Sequence, residues 1–324
     1  MNGSVAVAAP SSRPLPAWPG ESGHLWAIVL AGGEGLRLRT LTRHLYGDER
    51  PKQFAAVVGA RSLLRQTLDR VALLIPPERT IVVTLASHGS YVEAELRGSP
   101  RPHVLAQAYD RGTAAGVLLP AHWISARDPE ATVVVFPSDH FVLEESAFMC
   151  HVADVVRTVP RRPESMILLA AEARNPEPEY GWIEPGETVA WTARGPLHRV
   201  RRFLEKPSPA EADALFHAGC LWNMFVFAAR VSALVDAGRF CVPLLHDRLT
   251  RMELFLGTQH ERWAMRQACM LAPTANFSRA VLQDPSLSLV VSAVPELTWC
   301  DLGTPERVAR TWRRLGVAPA WLAS

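Results

Sequence analysis

The chain has almost no lysine. Its 34 lysine and arginine residues include only Lys52 and Lys206 as lysines, and asparagine is nearly as scarce, with four copies. Arginine, alanine, leucine, valine and proline are used heavily instead. A lysine that persists under such a bias marks a place where a compact ammonium does what a planar guanidinium cannot. Cysteine is also sparse and unpaired. Cys150, Cys220, Cys241, Cys269 and Cys300 are odd in number and form no CxxC pair. That excludes a disulfide framework and a cysteine zinc site, and it predicts a cytoplasmic location. An excess of one charge is missing too. The formal net charge is +2, which excludes an extended basic face and hence bulk nucleic-acid binding. No apolar run approaches the roughly 18 residues of a membrane helix. Residues 1–23, rich in Ala, Ser, Pro and Gly, lack the parts of a signal peptide and read as a disordered leader.

What is there alternates. Leu25–Ala31 is a continuous apolar run ending in Gly32-Gly33, the pattern of a buried strand that feeds a loop. Strands are predicted at Thr80–Leu85, His103–Gln107, Thr132–Phe136 and Met166–Ala171, and helices at Ser62–Leu74, Tyr91–Arg97, Thr113–Ala126 and Glu144–Val159. Short β-rich runs separated by helices predict an α/β fold: a Rossmann-like, mixed, mostly parallel sheet with helices on both faces. After Ala171 the pattern becomes strand-like at Gly181–Thr192, Leu197–Leu204 and Leu221–Ala228, which predicts a small antiparallel insertion. Residues 231–283 read as mixed and helical, Ser288–Val294 as a last strand, and Pro305–Leu315 as a closing helix capped by Thr304. No hexapeptide repeat is present.

The segment after the first strand, Ala31-Gly32-Gly33-Glu34-Gly35-Leu36-Arg37, places three glycines in four positions. Such a loop brings backbone N–H groups close to a ligand, and Arg37, Arg39 and Arg43 add guanidinium groups suited to a polyphosphate. It is not a P-loop, because GxxxxGK[ST] is absent. It is not the dinucleotide fingerprint, because Leu38 stands where a third glycine is needed, and this disfavours a dehydrogenase. Lys52 follows in Arg50-Pro51-Lys52-Gln53-Phe54.

These residues resemble the sugar-1-phosphate nucleotidyltransferases, and most of all the mannose-1-phosphate guanylyltransferase branch. LAGGEGLRLRTLT and PKQF are similar to that family's opening LAGGxGxRLxPLT and PKQF. Gln107-Ala108-Tyr109-Asp110-Arg111-Gly112-Thr113, Phe136-Pro137-Ser138-Asp139-His140, Tyr180-Gly181-Trp182-Ile183-Glu184, Phe203-Leu204-Glu205-Lys206-Pro207, Leu221-Trp222-Asn223 and Trp299-Cys300-Asp301-Leu302-Gly303 follow in the family's order. The resemblance spans about residues 25–310 and identifies 24–324 as a single catalytic domain.

The resemblance implies attack of a sugar-1-phosphate oxygen on the α-phosphate of a nucleoside triphosphate, with pyrophosphate leaving. It implies Asp139 and Asp301 as a Mg²⁺ clamp, and Arg37 and Lys52 as charges on the triphosphate and the departing pyrophosphate. Gly32, Gly33 and Gly35 are implied as backbone contacts, and Gln107, Gly112 and Thr113 as the nucleotide-binding stretch. Gly181, Glu205, Lys206 and Asn223 are implied as sugar-phosphate contacts. Trp182 either packs on the sugar or sits in the core, and His140 is expected to support its neighbour rather than act as a base. The implied partners are small molecules, GTP and mannose-1-phosphate first, with no nucleic acid and no membrane; a homo-oligomer is compatible with this. The sequence departs from the family at Leu36, Thr40, Gly112, Met224-Phe225 and Cys300. Another triphosphate and sugar pair, or a catalytically silent nucleotide-sugar-binding regulator, therefore stays open. Both lysines fall in motifs expected to touch phosphate, so arginine at either should cost activity.

Overall fold

The computed structural model describes residues 22–294 and 297–316. The expected leader lies almost wholly outside the described residues. Strand β1 (Leu25–Ala31) feeds the glycine loop and then α1 (Arg39–Tyr46), which the sequence pattern does not foretell. The chain continues through α2 (Leu63–Val71), β2 (Thr80–Leu85), α3 (Gly89–Leu96), β3 (His103–Gln107), α4 (Gly112–Ser125) and β4 (Thr132–Pro137). A two-residue strand β5 (Phe141–Val142) precedes α5 (Glu145–Thr158) and β6 (Met166–Glu172). The long hairpin β7 (Gly181–Thr192) and β8 (Gly195–Glu205) leads to α6 (Pro209–His217) and β9 (Leu221–Arg230). Then come α7 (Val231–Cys241), α8 (Pro243–Glu253), α9 (Glu261–Leu271), β10 (Leu289–Val294), β11 (Trp299–Cys300) and α10 (Pro305–Arg314).

The main sheet has nine strands in the order β3-β2-β1-β4-β9-β6-β10-β8-β7. β1, β2, β3 and β4 are parallel, as are β6 and β10, and β9 is inserted antiparallel between β4 and β6. The antiparallel portion foreseen after Ala171 is thus not beside the sheet but part of it. β8 joins β10 antiparallel, and β7 pairs with both β8 and β9.

Alternation along β1 explains the two-faced core. Leu25, Ala27, Val29 and Ala31 pack with α2, α3 and α5, whereas Ile28 faces α4, α7, α8 and α9. Successive strand side chains point to opposite faces, so a strand covered on both sides must be apolar throughout. α4 is buried on all sides, with only its ends reaching intermediate exposure or more, which accounts for its lack of a polar stripe. α10 is the opposite: it buries Arg307, Val308, Thr311 and Trp312 and exposes its other face. Thr304 caps it as foreseen, accepting a hydrogen bond from Arg307 N–H, with Pro305 at the first turn.

Candidate active site

The glycine loop leaves the carboxyl end of β1, and Asp139 lies just beyond the carboxyl end of the neighbouring β4. Open α/β sheets bind ligands at such ends. A cavity of about 370 Å³ opens there. Gly32, Gly33 and Arg37 line it from the loop, and Gln107, Gly112 and Thr113 from the end of β3 and the start of α4. Lys52, Asp139 and Asp301 form its floor, and Gly181, Glu205, Lys206 and Asn223 its far wall. Of the contacts that the resemblance implied, Gly35 alone does not line it. Gly35 has φ +62°, and a β-carbon there would sit 2.8 Å from the backbone nitrogen of Lys52. Its role is to let the loop turn against Pro51 and Lys52. Arg39 and Arg43, read from the loop as further polyphosphate ligands, do not reach the cavity. They lie on α1 and pair with Glu34 and Glu49.

Two aspartates are brought together by a device the sequence did not reveal. β5 follows Asp139-His140 directly and β11 precedes Asp301 directly. The two pair as an antiparallel ribbon, with Trp299 opposite Val142 and Cys300 opposite Phe141. Asp301 therefore leaves this ribbon and not the main sheet. Lys52 lies between the carboxylates. Its Nζ is 3.1 Å from Asp139 Oδ2 and donates to the carbonyl oxygens of Asp301 at 2.6 Å and Leu302 at 3.4 Å. Its three protons are thereby accounted for.

Burial by itself raises the pKa of Asp139, but the adjacent Lys52 ammonium outweighs it and holds the carboxyl below its ordinary value. Asp301 behaves alike: burial opposes ionisation, and Arg307 with Lys52 overcomes it. Asp301 Oδ2 accepts from Arg307 Nη1 at 2.7 Å, and Oδ1 accepts from the Tyr180 hydroxyl at 3.0 Å and from Gly303 N–H at 3.1 Å. His140 is pushed towards its neutral form by burial, and its Nδ1 lies 3.3 Å from the Trp299 indole nitrogen, which donates to it. It buttresses the ribbon.

Among the described residues no group of three or more His, Cys, Asp or Glu side chains is arranged to hold a metal. Two ionised carboxylates facing one cavity are instead the donor set that suits Mg²⁺, which takes one or two carboxylates and completes its shell with substrate oxygens and water. Asp139 and Asp301 fit that group.

Gln107 is 4% exposed, and its Nε2 donor has no partner. The side chain lines the cavity, and a buried amide without a partner is an unmade hydrogen bond that costs free energy. Gly112 has φ +76°, and a β-carbon there would meet the Ala275 carbonyl oxygen at 2.4 Å, so no other residue fits. Thr113 faces the cavity, but its hydroxyl already accepts from Phe277 N–H at 2.8 Å. The far wall is set by register. Gly181 pairs with Glu205, and Trp182 with Trp222, which carries Asn223 alongside. Burial raises the Glu205 carboxyl above its ordinary value, against the nearby Lys206. Trp182 is fully buried in the core, donating to the Glu177 carbonyl at 2.9 Å, and does not face the cavity.

Sequence reasoning missed several lining residues, Glu179, Tyr180, Asn276 and Ser278, whereas Phe225, one of the departures from the family pattern, does line the cavity. Glu179 accepts from Arg37 Nη1 at 3.1 Å and lies 3.9 Å from Lys206 Nζ. Lys206 and Phe225 both have positive φ, +53° and +55°, and such backbone in non-glycine residues clusters at functional sites. That strain is a signal no composition count carries. Gln53, in the PKQF segment, donates to the carbonyls of Ala31 at 3.0 Å and Gly33 at 2.7 Å and so ties the glycine loop down.

The sequence profile of the nucleotidyl transferase family matches residues 26–313. The chain belongs to that family. It is 28% identical over 283 residues to the xanthan biosynthesis protein XanB of Xanthomonas campestris, covering 86% of this chain and 57% of XanB. It is 29% identical over 293 residues to the mannose-1-phosphate guanylyltransferase of Escherichia coli, covering 86% of this chain and 58% of that protein. The chain thus spans little more than half the length of these relatives. The crystal structure of a mannose-1-phosphate geranyltransferase from Thermus thermophilus superposes with a TM-score of 0.76 at 28% identity, over 89% of this chain and 79% of that one. The nucleotide-diphospho-sugar transferase fold follows. No helix among the described residues is long and apolar enough to cross a membrane.

Proposed function

We propose that the protein joins a nucleoside triphosphate to a sugar-1-phosphate, with GTP and mannose-1-phosphate as the pair. The observation that carries this reading is one cavity that holds an unpartnered buried amide at one end, two ionised carboxylates on its floor, and a carboxylate, a lysine and an asparagine at the other end. The relatives named above supply the choice of substrates.

A phosphate oxygen of the sugar-1-phosphate attacks the α-phosphorus. One P–O bond forms, the bond to the α–β bridging oxygen breaks, and its electrons leave with pyrophosphate. The protein contributes position and charge rather than covalent chemistry. The glycine loop offers backbone N–H groups, and Arg37 offers a guanidinium to the triphosphate. Gln107 offers its free amide to the base. Glu205 and Asn223 orient the sugar hydroxyls, and Lys206 meets the sugar phosphate. Asp139 and Asp301 would hold a Mg²⁺ ion, which, when bound, neutralises charge on the phosphate oxygens. Lys52 keeps those carboxylates ionised and in place.

The test is pyrophosphate release from each of the four triphosphates against mannose-, glucose- and other sugar-1-phosphates, with Mg²⁺ present. Turnover is expected with GTP and mannose-1-phosphate. Turnover only with another pair keeps the reaction and replaces the substrates, and no turnover with any pair overturns the reading.

A further inference from the structure

A second cavity, of about 220 Å³, lies behind Asp301. Arg174, Arg307, Arg310 and Arg314 line it, and Glu177 is the one acidic residue among its described lining. Three of those arginines share a stripe of α10, because positions 307, 310 and 314 fall on one helical face. Like charges four residues apart disfavour a helix unless something answers them. Arg307 is answered by Asp301 at 2.7 Å and Glu177 at 2.9 Å. Among the described residues no carboxylate pairs with Arg174, Arg310 or Arg314; Arg174 reaches only the carbonyl of Leu297, at 3.2 Å. A separate observation concerns Trp222, whose ring lines the same cavity. It is 7% exposed and its indole N–H has no acceptor. A buried donor left unmade is costly, so a ligand oxygen that drew the ring towards the cavity would relieve that cost.

We propose that this cavity is a second anion site that takes a small phosphate ester. The phosphate sits on the Arg310–Arg314 edge, where guanidinium forks match its oxygens, and the organic part lies towards Trp222 and Trp299. The cavity is smaller than the first one, about 220 Å³ against about 370 Å³, which suits a phosphate carrying a short organic part. The wall between the two cavities couples them. Arg307 donates to Asp301, its guanidinium lies 4.4 Å from the centre of the Tyr180 ring, and the Tyr180 hydroxyl donates to Asp301. An anion that draws on Arg307 loosens its hold on Asp301, so occupancy behind the wall is felt in front of it. Such coupling is reciprocal.

The experiment is calorimetric titration of the whole protein with glycerol 3-phosphate and, separately, inorganic phosphate. It reads binding and not turnover, so it stands or falls apart from the proposed reaction. Replacing Arg310 and Arg314 together, R310A with R314A, is expected to weaken glycerol 3-phosphate binding by at least about tenfold. Both side chains are exposed, so the melting temperature should hold. R37A with K206A, which strips the first cavity of cations, is expected to leave that binding within about twofold. Binding that survives R310A with R314A, binding that disappears with R37A and K206A, or no binding of either probe would each overturn the proposal.

Discussion

Lys52 and Lys206 stand at opposite corners of one cavity and live in different physical worlds. Lys52 is 8% exposed, with each proton directed at an oxygen of the protein. Lys206 has a side chain 44% exposed, a left-handed backbone, and Glu179 at 3.9 Å as its charged neighbour. From sequence both look like phosphate ligands. In the structure Lys52 holds the Asp139 carboxylate and the backbone carbonyls of Asp301 and Leu302, whereas Lys206 lies half-exposed beside Glu179. An ammonium that is already spoken for organises a site; one held loosely over a cavity can follow a moving phosphate.

The largest effect that separates the corners is expected from Lys52→Met. Removing one partner of a buried ion pair leaves the other charge unanswered, at a cost of about 3 kcal/mol here because Asp139 retains some contact with water. Thermal unfolding should show a clear fall in melting temperature, and pyrophosphate release should be nearly lost. Lys206→Met should leave the stability within about half a kcal/mol of the parent, as for other exposed sites. Equal melting temperatures for the two variants would erase the distinction.

Next come Asp139→Asn and Asp301→Asn. Each is expected to lower turnover by about 10²-fold or more, the scale for losing a group that answers developing charge. Titrating Mg²⁺ in the assay should show a raised requirement for the ion in both variants. Near-normal rates in both would mean that the carboxylates serve only to anchor Lys52 and Arg307.

The two corners also differ in how much of them could be read from sequence. The Lys52 corner was legible as a set of residues, because PKQF, PSDH and WCDLG are local patterns. Its wiring was not. Nothing in the spacing says that β5 and β11 form a ribbon of two residues each, or that Gln53 grips the glycine loop, because these are contacts between distant segments. The main parallel strands were legible because burial on both faces demands apolar runs such as Thr132–Pro137, and the cap of α10 because Thr304 has a short side chain that bonds the first turn. α1 was not legible, since Arg39–Tyr46 mixes arginines with few apolar positions and buries only Leu41 and Thr42. At the Lys206 corner Glu179 escaped notice because it lies in a Pro-containing loop without periodicity, and the left-handed backbone of Lys206 and Phe225 leaves no mark on composition.

Lys206→Arg is expected to act more mildly than arginine at position 52. The pocket around Lys52 has no room for a planar fork, whereas Lys206 faces open space, so we expect a rise in KM for the sugar phosphate of about tenfold with an unchanged melting temperature. Raising ionic strength from about 0.1 M to about 1 M shortens the screening length from about 10 Å to about 3 Å. That should raise the same KM several-fold while sparing the stability contributed by Lys52. A KM indifferent to salt would place Lys206 away from the phosphate.

The smallest effect probes the residue that the sequence hid. Glu179 accepts from Arg37 and faces Lys206, so one carboxylate answers two cations that a phosphate would otherwise meet. The Arg37 and Glu179 side chains are about half exposed, at 51% and 49%, and exposed pairs of this kind contribute only about 0–1 kcal/mol. Removing the carboxylate therefore costs little stability, yet it takes away a competitor for the incoming anion. Glu179→Gln keeps the shape and one acceptor, and it is expected to lower KM for both anionic substrates by about two- to fivefold, with kcat and melting temperature nearly unchanged, as initial-rate kinetics would read. The gain should shrink at high salt, because it is electrostatic and lies near solvent. A raised KM instead would mean that Glu179 positions Arg37 and Lys206 rather than competing for them, and the loose corner would then be as organised by its carboxylate as the tight corner is by its lysine.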